Sequence, residues 1–350
     1  MLSSPPLRRV RLITLGGTIS SEPAGPGPET TGRGSSEGLS DGPAGVVPRS
    51  GAGLFQQEIQ HWVPGVELVP LELRMVPSPS LTMADLLALH AAIAGFGDDV
   101  DGVVVSQGTD TIEETAFVLD VLGAAARVPV VVTGAMRDRT TPGADGAANL
   151  VAAALVAASP DARGAGVLVQ IADRTHAARW VTKRSTFRVD GFSSEPFGPV
   201  GAVVEGVVHL GGVPRPRPAL PVPTGEAPRV AVVVAGLGDD LALLPGLADA
   251  GYDGVVIAGA GGGHVAASAV ENVAATVARI PVVMCSRVGS GPALTQTYGY
   301  PGGEIDLARV GTVPGGGLSA PKARMLLMLL VASGATPDEV RDGIVRYGRD

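Results

Sequence analysis

The stretch Asp101-Gly102-Val103-Val104-Val105-Ser106-Gln107-Gly108-Thr109-Asp110-Thr111-Ile112-Glu113-Glu114-Thr115-Ala116 decides the fold. Asp101 to Ser106 is a short β-branched run, which reads as a buried strand. A glycine turn follows. Thr111 and Glu114 then stand at capping-box spacing, so a helix opens here and runs to Leu122. A strand feeding straight into a helix start is half of a βα unit.

Working outward, the same rhythm repeats. Val10 to Leu15 is a strand closed by Gly16-Gly17, Val66 to Arg74 is extended, and Met83 to Phe96 has helical spacing. Val128 to Thr133 and Gly166 to Ile171 read as strands, with a helix at Ala147 to Ala158 between them. This alternation predicts a mostly parallel sheet with helices on its faces. Two segments interrupt it. From Ser20 to Gly53, Gly, Pro, Ser and Thr dominate and no period survives, which predicts a long lid-like loop over 20–53. Gly212 to Pro228 holds six prolines and predicts a semi-rigid linker over 212–228. The expected division is therefore an N-terminal catalytic domain, 1–211, and a smaller C-terminal domain, 229–350. In the latter, strands are expected at Val230 to Ala235, Val255 to Ala258 and Val282 to Cys285. Helices are expected near Leu241 to Ala250, at Ala266 to Ala278, at Lys322 to Ser333 and from Pro337.

Bulk composition narrows the function. At 350 residues, one ordinary core is too small for the chain. Aromatics are only 3%, so the core must be built from Ala, Val and Leu. A net charge of -8 repels phosphate backbones and disfavours nucleic-acid binding. Cys285 is the single cysteine, so no intrachain disulfide is expected and nothing calls for an oxidising compartment. No signal-peptide h-region or membrane-length apolar run is read, which leads to an expectation of a cytoplasmic protein.

Three motifs carry candidate chemistry. Leu15-Gly16-Gly17-Thr18-Ile19 follows a strand, at the sheet edge where ligands bind in open α/β folds. The two glycines permit close backbone approach, and Thr18 is either a nucleophile or a solvent-facing residue after a turn. Thr109 and Asp110 stand just before a helix N-terminus, which suits an anionic group. Asp110 is either part of a site or the helix cap. Lys183, in Val181-Thr182-Lys183, is a surface cation or, if partly desolvated, a base.

Taken in order, these pieces resemble the bacterial L-asparaginase and glutaminase-asparaginase family of threonine amidohydrolases, over nearly the whole chain from Val10 to about Tyr347. The resemblance rests on Gly16-Gly17-Thr18-Ile19, on Gly108-Thr109-Asp110-Thr111 with Glu113-Glu114-Thr115-Ala116, and on Gly134-Ala135-Met136-Arg137. It continues in Ala144-Asp145-Gly146, Val181-Thr182-Lys183, Ser286-Arg287-Val288 and Pro321-Lys322-Ala323-Arg324.

The resemblance implies a larger flavodoxin-like N-terminal domain, a smaller α/β C-terminal domain, and a homotetramer built from tight dimers. It implies hydrolysis of L-asparagine, with L-glutamine as a further substrate, and neither metal nor organic cofactor. By match to the family motifs, Thr18 is the nucleophile, and Thr109, Lys183 and Asp110 form a second relay. Ser80 takes the substrate α-carboxylate, Asp110 also meets the α-ammonium, and Gly108 supplies backbone contact. The carbonyl of Ala135 faces the substrate amide nitrogen, and Glu304 reaches into the neighbouring subunit's site. Departures are visible too. No tyrosine occurs between Ile19 and Gly53, where the family's loop carries one. Gln107 stands for a common histidine, Leu81 for a common glutamine and Gly262 for an asparagine. Two alternative readings follow: an amidase for another small amide, or an amino-acid-binding protein without catalysis.

Other features point elsewhere only weakly. His61, His90, His176, His209 and His264 show no metal-ligand spacing. Gly259 to His264 has a glycine-rich look after a strand, but His264 stands where a dinucleotide loop needs glycine. Trp62 and Trp180 are expected to be packing residues.

Overall fold

A computed structural model describes residues 7–17, 21–23, 46–48, 51–215 and 217–349. The chain divides into two compact units. One comprises Met1–Ala116, Ala124–Ser193 and Pro199–Pro216; the other comprises Phe117–Gly123, Ser194–Gly198 and Arg217–Asp350.

The strands of the first unit are β1 (Arg8–Thr14), β2 (Ser21–Pro23), β3 (Val46–Pro48), β4 (Val66–Glu72), β5 (Gly102–Ser106) and β6 (Val130–Thr133). They continue as β7 (Val167–Ile171), β8 (Arg174–Ala177), β9 (Thr182–Lys183), β10 (Phe192–Ser193), β11 (Gly201–Val204) and β12 (Val207–Leu210). Its helices are α1 (Ala52–Ile59), α2 (Met83–Ala94), the start of α3 (Ile112–Val121), and α4 (Gly146–Ala158). Eight strands form one sheet in the order β12-β11-β8-β7-β6-β5-β1-β4.

Strands β4, β1, β5, β6 and β7 are parallel. Numbered among themselves they run 2-1-3-4-5, the flavodoxin order, which reverses direction between the first and third strands. Here that switch point lies between β1 and β5. Every residue of β5, β6 and β7 is buried. Their Val/Ile/Leu-rich runs, interrupted in β7 by the buried Gln170, are what a sheet covered on both faces requires. The α4 helix supplies one cover: Leu150, Ala153, Ala154 and Ala157 pack with Leu12, Val104, Val131 and Leu168. Small side chains on this helix let it sit close to the strands, as the aromatic-poor composition requires.

Strands β8, β11 and β12 extend the sheet antiparallel. Two hairpins produce them. Ala172 and Asp173 turn at φ +48° and +63°, and Glu205 and Gly206 at +53° and +76°. Paired positive φ values in a two-residue loop match the right-handed twist of the flanking strands.

The second unit contains β13 (Val230–Val234), β14 (Gly254–Gly259), β15 (Val282–Ser286) and β16 (Val313–Pro314), a four-stranded parallel sheet in that order. Its helices are α5 (Val270–Val277), α6 (Glu304–Arg309), α7 (Ala320–Ala332) and α8 (Pro337–Gly348). Val255, Ile257, Val273, Val282 and Leu307 belong to its core. Ser319 caps α7, and a Thr336–Glu339 capping box starts α8. The fold is thus α/β, with a larger, mostly parallel sheet and a smaller parallel one.

Several expectations shift. The 20–53 segment is not wholly without structure: β2 pairs antiparallel with β3, and α1 begins at Ala52. Most of the expected lid, 24–45, lies outside the described residues. The helix expected near Leu241 to Ala250 is only a 3-10 turn, Leu244–Gly246. Leu241 takes φ +53°, and Pro245 and Gly246 disfavour a longer helix. Among its described residues the proline-rich stretch carries no regular element, yet from Arg217 it is bonded within the second unit. Leu220 N–H donates to the Val121 carbonyl at 2.9 Å, and Arg217 Nη1 to the Tyr347 carbonyl at 2.8 Å. Trp62, expected to pack, is 65% exposed. Cys285 is buried, and burial pushes its thiol up to about 12.

Candidate active site

Strand register brings the motifs to one edge. Thr14 on β1 pairs with Ser106 on β5, and Ser106 pairs with Thr133 on β6. Beyond these residues the ladder runs one bond further: Leu15 N–H donates to the Ser106 carbonyl at 2.9 Å, and Gln107 N–H to the Thr133 carbonyl at 3.1 Å. Gly16-Gly17, Gly108-Thr109 and Gly134-Ala135 therefore leave the sheet side by side, at the carboxyl ends of the strands and at the switch point.

Gly17 shows how close they come. Its φ is +94°, and a Cβ there would overlap the backbone nitrogen and Cα of Gly108. Only glycine satisfies both conditions. The turn leading to Thr18 thus lies against the turn leading to Thr109. Thr18 itself lies outside the described residues.

Thr109–Thr111 forms a 3-10 turn, and α3 follows from Ile112. Thr111 was expected to cap that helix. Its hydroxyl donates to the Ser78 carbonyl at 3.1 Å and accepts from Gln107 Nε2 at 3.3 Å. Gln107 Nε2 also lies 3.2 Å from the Gly108 carbonyl. Gln107 is fully buried, so the residue standing for a common histidine acts here as a brace for the turn.

Thr109 is 5% exposed. Lys183 Nζ donates to Thr109 Oγ1 at 2.9 Å and to Asp110 Oδ1 at 2.6 Å. The Asp110 carboxylate takes the lysine, as the reading that places it in a site expects. Lys183 is delivered by β9, which pairs antiparallel with β10. Its side chain is 15% exposed against 62% for Asp110, so the ammonium sits inside while the carboxylate faces solvent. A cavity of about 350 Å³ opens beside them, lined by Asp110, Glu113, Lys183, Arg184, Ser185 and Thr186. A hydroxyl within hydrogen-bond reach of an amine, itself oriented by a carboxylate, is the arrangement of an activated nucleophile or proton relay.

Ser80 closes a second 3-10 turn, Ser78–Ser80, and is exposed. That turn is tied to the Thr109 turn by the Thr111–Ser78 bond. Ser78, which carries no motif signal, is 2% exposed; its hydroxyl has no partner among the described residues, and its side chain packs against the Cα side of Gly108. Nothing in its local sequence distinguishes it from Ser80. Ala135 is wholly buried on the turn after β6. Glu304 belongs to the second unit, at the start of α6. Its Oε1 accepts from Thr297 and Tyr298 N–H at 2.6 and 2.7 Å, and its Oε2 lies 2.9 Å from His264 Nε2. Tyr300 Oη in turn lies 2.8 Å from His264 Nδ1. Desolvation opposes the charge on Glu304, but the Tyr298 N–H and its other donors outweigh it and hold the carboxyl below its ordinary range. Among the described residues, no group of three or more His, Cys, Asp or Glu side chains is placed to hold a metal ion.

Comparison with known proteins reaches residues of both units. The family model described as "Asparaginase, N-terminal" matches residues 9–214, and "Glutaminase/Asparaginase C-terminal domain" matches 229–343. The chain belongs to the asparaginase family. A "Probable L-asparaginase" of Deinococcus radiodurans is 36% identical over 339 residues, 96% of each chain. "L-asparaginase 2" of Bacillus subtilis is 36% identical over 249 residues, 70% of this chain and 64% of that one. Among solved structures, the "Probable Cytoplasmic L-asparaginase" of Campylobacter jejuni superposes with a TM-score of 0.81 at 25% identity, covering 97% of this chain and all of that one. No helix among the described residues is long and apolar enough to cross a membrane.

Proposed function

We propose that this member of the asparaginase family hydrolyses the side-chain amide of L-asparagine to L-aspartate and ammonia, with L-glutamine as a weaker substrate. The observation that carries the reading is the Lys183 ammonium bridging Thr109 Oγ1 and Asp110 Oδ1 at the switch point, where the Gly17 and Gly108 turns meet.

Thr18 Oγ attacks the amide carbonyl, and its proton passes to a base. The tetrahedral intermediate collapses with proton transfer to nitrogen, the C–N bond breaks, and ammonia leaves. Water then opens the Thr18 ester, releasing aspartate and restoring the hydroxyl. The Thr109–Lys183–Asp110 relay carries a proton in one of these half-reactions. Asp110 meets the α-ammonium, Ser80 the α-carboxylate, and Gly108 the substrate through its backbone. Ala135 presents its carbonyl to the amide nitrogen. Clamping a small zwitterion at both charges turns orientation into rate.

A homotetramer of tight dimers and a cytoplasmic location go with this reading. The family resemblance supports the first and the description of the Campylobacter jejuni structure supports the second. Within such an assembly Glu304 acts on the neighbouring site, and the His264 and backbone bonds that hold it make it a rigid element rather than a flexible arm.

Ammonia release from purified protein, with asparagine, glutamine and a panel of small amides, tests the reading. Thr18→Ala is expected to abolish turnover with the circular dichroism spectrum unchanged. Full activity in that variant would sink the Thr18 assignment, and turnover confined to another amide would replace asparagine as the substrate.

A further inference from the structure

The turn that carries Ala135 is gripped from both sides by two polar side chains of one helix start. Asp145 precedes α4 and is 7% exposed. An aspartate at this position ordinarily caps its own helix, worth about 1 kcal/mol. Asp145 makes no such bond. Its carboxylate turns back: Oδ2 accepts from Met136 N–H at 3.0 Å and Oδ1 from Arg137 N–H at 2.9 Å. Asn149 lies one helical turn on and is 2% exposed. Its Nδ2 donates to the Gly134 carbonyl and to Asp145 Oδ2, each at 3.0 Å. Its Oδ1 accepts from Ala172 N–H, also at 3.0 Å, which fastens the pair to the end of β7.

The backbone is therefore fixed immediately before and after Ala135. The same turn borders the relay. A Cβ placed on Gly134 would stand 3.1 Å from Thr109 Cγ2 and 2.5 Å from the Gln107 carbonyl oxygen. A helix cap has been given up, and two buried polar groups have been committed, to hold one short piece of chain beside Thr109. That exchange favours backbone direction over helix stability.

We propose that Asp145 and Asn149 are positioning residues that aim the Ala135 carbonyl at the substrate's leaving nitrogen, and so set the preference of the site for a carboxamide over the matching carboxylate. This rests on the reading that Ala135 meets the amide nitrogen. A carbonyl oxygen accepts from an amide N–H and repels a carboxylate oxygen. The nitrogen gains positive charge as it is protonated to leave, so the contact strengthens toward the transition state and acts on turnover as well as binding.

The test compares wild type, Asp145→Asn and Asn149→Ser, measuring kcat and KM for asparagine and the inhibition constant of aspartate. The amide in Asp145→Asn turns an N–H2 toward one of its present donors, and Asn149→Ser removes the grip on Gly134. The expected result is a tenfold or larger fall in kcat/KM for asparagine, with aspartate inhibition changed by less than twofold. Parallel losses for asparagine and aspartate would overturn the proposal, since a general loosening of the site would produce them. So would unchanged kinetics. Should Asp145→Asn not fold, the milder Asn149→Ser alone decides between these outcomes. A wild type that releases no ammonia from asparagine would overturn the functional reading, and this inference with it.

Discussion

Lys183 Nζ lies 2.9 Å from Thr109 Oγ1 and 2.6 Å from Asp110 Oδ1, although 73 residues or more of chain separate it from both. The ion pair with Asp110 is half solvated, and pairs of this kind contribute about 0–1 kcal/mol to stability. Its value is therefore chemical. Lys183→Met is expected to lower kcat for ammonia release by about 10²–10⁴-fold, the usual range for a lost acid–base group. Denaturant unfolding is expected to move by less than about 1 kcal/mol. Lys183→Arg is expected to be no better than Lys183→Met, because a guanidinium does not give up its proton.

Gly17 is the hinge of the other threonine's turn. Gly17→Ala must hold an L-residue at φ +94° and push the Gly108 backbone away. Strain of this kind costs about 1–3 kcal/mol before the overlap is counted. Urea unfolding is expected to show a loss at the upper end of that range, together with a fall in activity as the Gly108–Thr109 turn shifts. An active variant of wild-type stability would show that the two turns are not in the contact described.

The parallel core was legible because its physics is local. Val103-Val104-Val105 and the Val128–Thr133 run are short and β-branched, as buried strands are, and Met83–Phe96 is longer with helical spacing. The site motifs were legible because glycine placement and strand ends are local as well. What escaped depended on contacts between distant residues. Thr111 carries a capping-box signal, but nothing local announces the bond that its hydroxyl donates to the Ser78 carbonyl, 33 residues away. The β7–β8 hairpin turns on Ala172-Asp173, and alanine at positive φ carries no turn signature. The Glu205-Gly206 turn, between Val203-Val204 and Val207-Val208, did carry one. Asp145 stands in the Ala144-Asp145-Gly146 motif, but its bonds to the Met136 and Arg137 N–H groups have no local mark, and Ser78 has none at all.

His176 gives a pH dependence with a definite sign. It is buried on β8; desolvation, with Arg174 adding repulsion, lowers its pKa from 6.5 to about 4. The unfolded chain takes up this proton near pH 6.5, whereas the folded chain resists it until about pH 4. The contribution is complete above pH 6.5 and is lost as pH falls toward 4, amounting to about 3 kcal/mol over that window. Unfolding free energies measured across pH 4–7 are expected to fall less steeply in His176→Gln than in wild type, by about one proton's worth of slope. Identical slopes would exclude His176 as the source.

Glu304 tests whether the second unit's network is structural in its own right. Its two oxygens receive the Thr297 and Tyr298 N–H groups and face His264 Nε2. An amide is neutral, so Glu304→Gln loses the charge assistance of the bonds from the Thr297 and Tyr298 N–H groups, and its N–H2 needs His264 Nε2 as an acceptor. Hydrogen bonds to a charged group contribute about 1.5–3 kcal/mol, more than their neutral counterparts. Because the carboxyl is held below its ordinary range, its contribution is present at neutral pH and fades as acid protonates it. Glu304→Gln is therefore expected to be less stable than wild type at pH 7, with the gap narrowing toward the carboxylate range. A gap that stays constant with pH would mean that shape rather than charge holds the α6 start in place.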